Sequence, residues 1–285
     1  MHGSVSAGRR WAALMLAAAL AVLLGGCAEL DRNAHAAALA APAGLKREQV
    51  ATGQFVLTAF ARITRADQAL TVYIEGDGLA WLSRSQASTD PTPLAATGLA
   101  LAAVDPAANV VYLARPCQFT PMELNPGCSE PYWTGKRFAP EVIASMSAAV
   151  SHFAAQVPGQ RIHLVGYSGG GAVAVLMAAR RSDIASIRTV AGNLDSELVN
   201  RLHHVSPMPE SENPAAFAAQ IAKIPQLHFS GADDTVVSPE VADYFIQLTG
   251  GRCAQARTVP AMTHSGDWSR VWPALLAQAP ACTGQ

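Results

Sequence analysis

A serine set among glycines, two acidic turns and eight histidines carry most of the chemistry this sequence can offer. Gly166-Tyr167-Ser168-Gly169-Gly170 has the form Gly-x-Ser-x-Gly. A serine hydroxyl is a weak nucleophile until a base takes its proton. It must also stand clear of the backbone to meet a substrate. Glycines on both sides allow a strand and a helix to pack closely around a sharp turn that exposes it. The helix that follows would aim free amides and its positive dipole end at the same point. Gly169 N–H is then one donor to a developing oxyanion. A phosphate cradle would need a lysine after the glycines, and Gly171-Ala172-Val173 stands there instead.

A carboxylate and an imidazole are needed to activate such a serine. Asp233-Asp234 occupies one acidic turn, after Leu227–Ser230, and Asp195 lies in another, after Ile187–Val190. Among the histidines, His264 sits in the polar loop Met262–Asp267. His163 and His228 fall on apolar strands and read as packed core residues. His152 reads as structural on a helix, and the pair His203-His204 as solvated. No Cys/His cluster has zinc spacing, so no metal is expected. No nicotinamide or flavin motif occurs, so no cofactor is expected.

The elements that must position these residues alternate. Phe55–Arg62 and Leu70–Glu75 are rich in β-branched and aromatic residues and read as an antiparallel hairpin. Val110–Leu113 is a further strand. Pro140 opens a helix whose apolar residues Val142, Ile143, Met146, Ala149, Val150 and Phe153 share one face. Then come strand 162–165, a helix from Ser168 to about Arg180, strand 187–190, a helix at 214–221, strand 227–230, helix 239–248, strand 256–259 and helix 268–276. Strands alternating with helices imply an α/β fold: a mostly parallel central sheet with helices on both faces.

The motif in this setting resembles the α/β-hydrolase family, whose triad runs Ser, acid, His along the chain. The resemblance spans about Phe55 to Leu276. It implies Ser168 as nucleophile and His264 as base. Ser230–Val237 resembles the family's Gly-x-x-Asp-x-x-Val turn, which selects Asp234 as the acid, with Asp195 the alternative. Tyr73–Leu79 resembles the family's His-Gly loop, with Glu75 where histidine is usual. It implies a second oxyanion donor at Asp77 or Gly78. Tyr167, Tyr132 and Trp133 are candidate substrate contacts, the last two balanced against simple packing beside a disulfide. Residues 195–225 occupy the place of a cap, short enough to leave an open site.

The N-terminus implies export. Arg9-Arg10, an apolar run from Trp11 to Leu24 and Leu24-Gly25-Gly26-Cys27 form a leader. Its end resembles a bacterial lipobox, which implies a signal peptide over 1–26, lipid on Cys27 and a membrane anchor. Ala28 after the cysteine implies outer-membrane sorting, facing the periplasm. Ala-rich 27–50 reads as a tether and 51–285 as the hydrolase domain. Cys117, Cys128, Cys253 and Cys282 are an even set in an oxidising compartment. Proximity favours 117–128 and 253–282, although three pairings exist. A net charge of −1 gives no reason to expect nucleic acid. The expected activity is a serine carboxylesterase acting on a small-molecule ester. A peptidase or acyltransferase with the same triad, and an inactive lipid-anchored binding protein, are the alternatives.

Overall fold

The computed structural model describes residues 31–283, so the leader and Cys27 lie outside the described residues. One sheet organises the chain. Its strands are β1 (Lys46–Ala51), β2 (Val56–Ile63), β3 (Leu70–Ile74), β4 (Asn109–Leu113), β5 (Ile162–Tyr167), β6 (Ile184–Val190), β7 (Gln226–Gly231) and β8 (Ala254–Val259). They lie in the order β1-β2-β4-β3-β5-β6-β7-β8. From β4 to β8 every neighbour is parallel, while β1 and β2 pair antiparallel at one edge.

The helices are α1 (Arg32–Ala40), α2 (Thr97–Ala103), α3 (Pro140–Ala154), α4 (Gly169–Ala178), α5 (Ser196–His203), α6 (Pro239–Leu248) and α7 (Trp268–Leu276). They make two layers because successive strand side chains point to opposite faces. Leu70, Val72, Ile74 and Leu164 face a core completed by α3, α4, α6 and the stretch 214–221. Tyr73, Tyr112, Val165 and Phe229 face a second core completed by α1, α2 and α7. Every residue of α4 is buried, as befits an apolar helix lodged in the middle of a layer.

Three sequence expectations need correction. The hairpin 55–75 does not form: β4 lies between β2 and β3 and pairs with both. β3 is buried along its whole length, so it needs a neighbour on each edge. The buried Asn109 side chain also pins the connecting loop. It accepts from the amides of Thr64 and Arg65 and donates to the carbonyls of Arg65 and Gln68. Residues 32–50 are not a tether. Ala36 and Ala40 of α1 are buried in the second core, and β1 pairs with β2 residue for residue. Alanine's small side chain lets a helix bury a face without the usual amphipathic pattern, and the charged Lys46-Arg47-Glu48 suits an edge strand. Finally, 214–221 is a 3₁₀ helix rather than an α-helix.

Both nearest-neighbour cysteine pairings are present, Cys117–Cys128 and Cys253–Cys282. Among the described residues, no helix is long and apolar enough to cross a membrane.

Candidate active site

The site lies at the carboxyl edge of the parallel strands. β5 ends at Tyr167, α4 begins at Gly169, and Ser168 forms the turn between them with φ 51° and ψ −121°. That left-handed backbone is unfavourable for a residue with a Cβ. It is held by the Ser168 amide donating to Val190 O at 2.9 Å, and by Ser168 O accepting from the amides of Gly171 and Asn193, each at 2.9 Å. The glycines follow from packing. A Cβ on Gly166 would sit 2.3 Å from Gly170 O, and one on Gly170 would sit 2.2 Å from Ile74 O.

Two further loops meet this turn. His264 Nε2 lies 3.0 Å from Ser168 Oγ, and His264 Nδ1 lies 2.9 Å from Asp234 Oδ2. Asp234 follows β7 and its side chain is fully buried. Its other oxygen accepts from the amides of Val236 and Val237, both at 2.8 Å. Two backbone amides thus fix the carboxylate that meets the ring. Asp233 is exposed. Asp195 is elsewhere: it caps α5, accepting from Leu198 N at 3.0 Å and Asn213 Nδ2 at 2.9 Å.

The His264 loop is anchored by contacts that the sequence reading missed. Trp268 Nε1 and the Tyr167 hydroxyl both donate to His264 O, at 3.0 and 3.1 Å. Trp272, one turn further on, donates to the Tyr73 hydroxyl, which in turn donates to Asp105. The two tryptophans of α7, both fully buried, therefore tie the His264 loop to the sheet. Their spacing of four residues was the available signal. The Tyr167 ring also packs 5.6 Å from the His264 ring, and burial pushes its phenol up, so it stays a neutral donor.

Across the serine lies the loop after β3. Neither the Asp77 nor the Gly169 amide has a hydrogen-bond partner among the described residues. The loop carrying Asp77 is held from both sides. Gln118 donates to Gly76 O at 3.0 Å. Glu75 is wholly buried and accepts from the amides of Gly76 and Gly98 and from the Tyr112 hydroxyl. Burial raises the Glu75 pKa, and these donors oppose that shift. The Asp77 carboxylate pairs with Arg115 Nη1 and Arg137 Nε, each at 3.2 Å.

A cavity of about 470 Å³ opens over Ser168. Tyr167, His264, Asp77, Gly78 and Arg137 line its polar parts. Trp81, Leu94 and Val236 form an exposed apolar rim. Tyr132 and Trp133 are not part of it. Tyr132 packs edge-on against Phe55 and bonds to Gln54 and Glu141, while Trp133 is buried and donates to Ser88 O. The long loop after β4 turns back toward β2 once Asn125 bonds the backbone of Val56, which carries both aromatics away from the serine.

No family model matches the chain, and no curated protein sequence matches it. Solved structures do. A putative lipase from Acinetobacter baumannii superposes with a TM-score of 0.59 at 17% identity, over 89% of this chain and 98% of that one. A Pyrococcus furiosus esterase superposes with a TM-score of 0.58 at 14% identity, over 83% and 89%. A Xanthomonas campestris α/β serine hydrolase described as lacking a lid gives 0.52 at 14%, over 81% and 93%.

This chain has the α/β-hydrolase fold. Within that fold the stretch 195–225 stands where a cap would be inserted. Here it splits its duties. The 3₁₀ helix 214–221 buries Ala218 and Ile221 in the first core. The end of α5 reaches the rim, where His203 Nε2 lies 2.7 Å from Val236 O.

Proposed function

We propose that this protein is a serine hydrolase that cleaves carboxylic esters with Ser168, His264 and Asp234. The observation that carries the reading is the His264 ring, placed between Ser168 Oγ at 3.0 Å and the buried Asp234 carboxylate at 2.9 Å. Both separations lie in the range for proton transfer by a general base.

In this reading His264 Nε2 takes the proton of Ser168 as Oγ attacks the ester carbonyl. Asp234 holds the ring through Nδ1–H and stabilises the imidazolium that forms. The carbonyl oxygen becomes an oxyanion and accepts from the free amides of Gly169 and Asp77. These amides need no reorganisation, because the elbow and the Glu75–Gln118 contacts already fix them. Collapse expels the alcohol, which takes the proton from His264. Water, deprotonated by the same ring, then attacks the acyl-serine and releases the acid and the free serine.

The open, apolar-rimmed cavity suits an ester of modest size. An ester-over-amide test checks this: p-nitrophenyl esters should turn over at least 100-fold faster than matched aminoacyl p-nitroanilides. A preference for the anilides would assign the site to a peptidase instead.

The leader supports a second element of the proposal, that the protein is exported and held to the cell envelope by lipid on Cys27, facing the periplasm. Cys27→Ser should then move it from the membrane fraction to the soluble one. Unchanged membrane association in that variant would remove the lipid from the account.

A further inference from the structure

Beside Ser168 stands a charge arrangement that the proposed reaction does not use. Two guanidiniums, Arg115 and Arg137, share the single carboxylate of Asp77. The carboxylate is pressed against the elbow itself: a Cβ on Gly169 would lie 2.0 Å from Asp77 Oδ1. The two arginines are spent differently. Arg115 is 5% exposed and bonds both Asp77 and the Arg137 carbonyl. That alone suffices to lock the loop. Arg137 is 14% exposed and lines the cavity that holds Ser168 and His264. It meets Asp77 through Nε as an ion pair at 3.2 Å without a hydrogen bond, and its two terminal nitrogens have no hydrogen-bond partner among the described residues. Both guanidiniums also lie over the Phe138 ring, at 5.3 and 5.4 Å, which further holds them in place.

A guanidinium that faces a cavity with its terminal donors unspent is suited to pair with two oxygens of a carboxylate or phosphate. We propose that Arg137 is an anion subsite of the Ser168 cavity, and that the ester cleaved there carries a carboxylate or phosphate group. The apolar rim then receives the uncharged part of the substrate, and the guanidinium orients it. This inference rests on the ester-hydrolase reading and names the substrate class within it.

The test compares esters of equal length. Mono-p-nitrophenyl adipate is set against p-nitrophenyl hexanoate, placing the charge on the acyl side. 4-Carboxyphenyl hexanoate is set against its 4-carbamoyl analogue, placing it on the alcohol side. A 4-phosphonobutanoate ester separates phosphate from carboxylate. In at least one pair the wild type should favour the anion by about tenfold or more in kcat/KM, the scale of a hydrogen bond to a charged group. Arg137→Gln should collapse that ratio to within twofold, and Arg137→Lys should restore part of it. A preference for the neutral ester in every pair would overturn the subsite. So would a ratio that survives Arg137→Gln, or a loss equal for both members of a pair, which would make Arg137 a support for Asp77 only. A wild type that labels with a fluorophosphonate yet shows no anion preference would refute this inference alone. One that does not label would refute the hydrolase reading beneath it.

Discussion

The loops after β5, β7 and β8 end at the same rim as the loops after β3 and β4, but polar groups are used differently in the two sets. In the first set, side chains face one another: Ser168, His264 and Asp234 form a chain of two contacts. In the second, side chains hold backbone. Glu75, Gln118 and Asn125 bond main-chain amides and carbonyls, leaving the Asp77 amide unpaired beside the serine. In the proposed reaction one region supplies the reacting groups, and the other keeps a peptide donor where charge would develop. The difference teaches that removing a residue from either set should slow the reaction, but by very different amounts and for different reasons.

The sharpest contrast comes from the reacting set. Asp234→Asn should lower kcat by about 10⁴-fold with little change in KM, because the ring loses its orienting acceptor and takes the wrong tautomer. Steady-state ester hydrolysis reads this directly, and a loss under tenfold would remove Asp234 from the chain. Substituting the supporting set should cost less. Gln118→Ala frees Gly76 O and relaxes the Asp77 loop, and a single misplaced oxyanion donor costs about 10² in kcat. A KM rise with unchanged kcat would instead make that loop a substrate-binding wall.

The smallest effect concerns His228, which lies on β7 below the acid turn. It is fully buried, and burial pulls its pKa down to about 3. The neutral ring is kept at 2.9 Å from Thr189 Oγ1. The unfolded chain takes up this proton below about pH 6.5, while the folded chain does not. The stability it preserves is therefore complete above pH 6.5 and declines as pH falls toward 3. The slope is about 1.4 kcal/mol per pH unit from this group. Urea melts between pH 7 and 4 should show it, and His228→Leu should flatten it. An unchanged slope would move the acid sensitivity elsewhere.

The two regions also differ in how far they can be read from sequence. Ser168 and Asp234 lie in short local patterns just after apolar strands, His264 lies in a short polar loop after the last strand, and local patterns survive without knowledge of packing. Arg115, Arg137 and Gln118 act across more than twenty residues of chain on the loop at 76–78, and nothing local marks them. Glu75 was visible only as a departure from a familiar loop. Tyr132 and Trp133 misled because aromatic residues near a site and aromatic residues in a core look alike until Asn125 is seen folding their loop back. The parallel half of the sheet was legible for the same reason, since its strands hold short β-branched or apolar stretches that alternate with helices. The edge was not: five of the nine residues of α1 are alanine, β1 is charged, and β4 enters between β2 and β3 through contacts of Asn109 that span some forty residues.

One measurement bears on the whole account: the rate at which a fluorophosphonate labels the protein, with the adduct located by mass spectrometry. The wild type should carry a single adduct on Ser168. Ser168→Ala should carry none, and His264→Ala should label slower by a factor of at least 10³. An adduct on another residue, or labelling of His264→Ala at the wild-type rate, would contradict the claim that His264 and Asp234 activate Ser168.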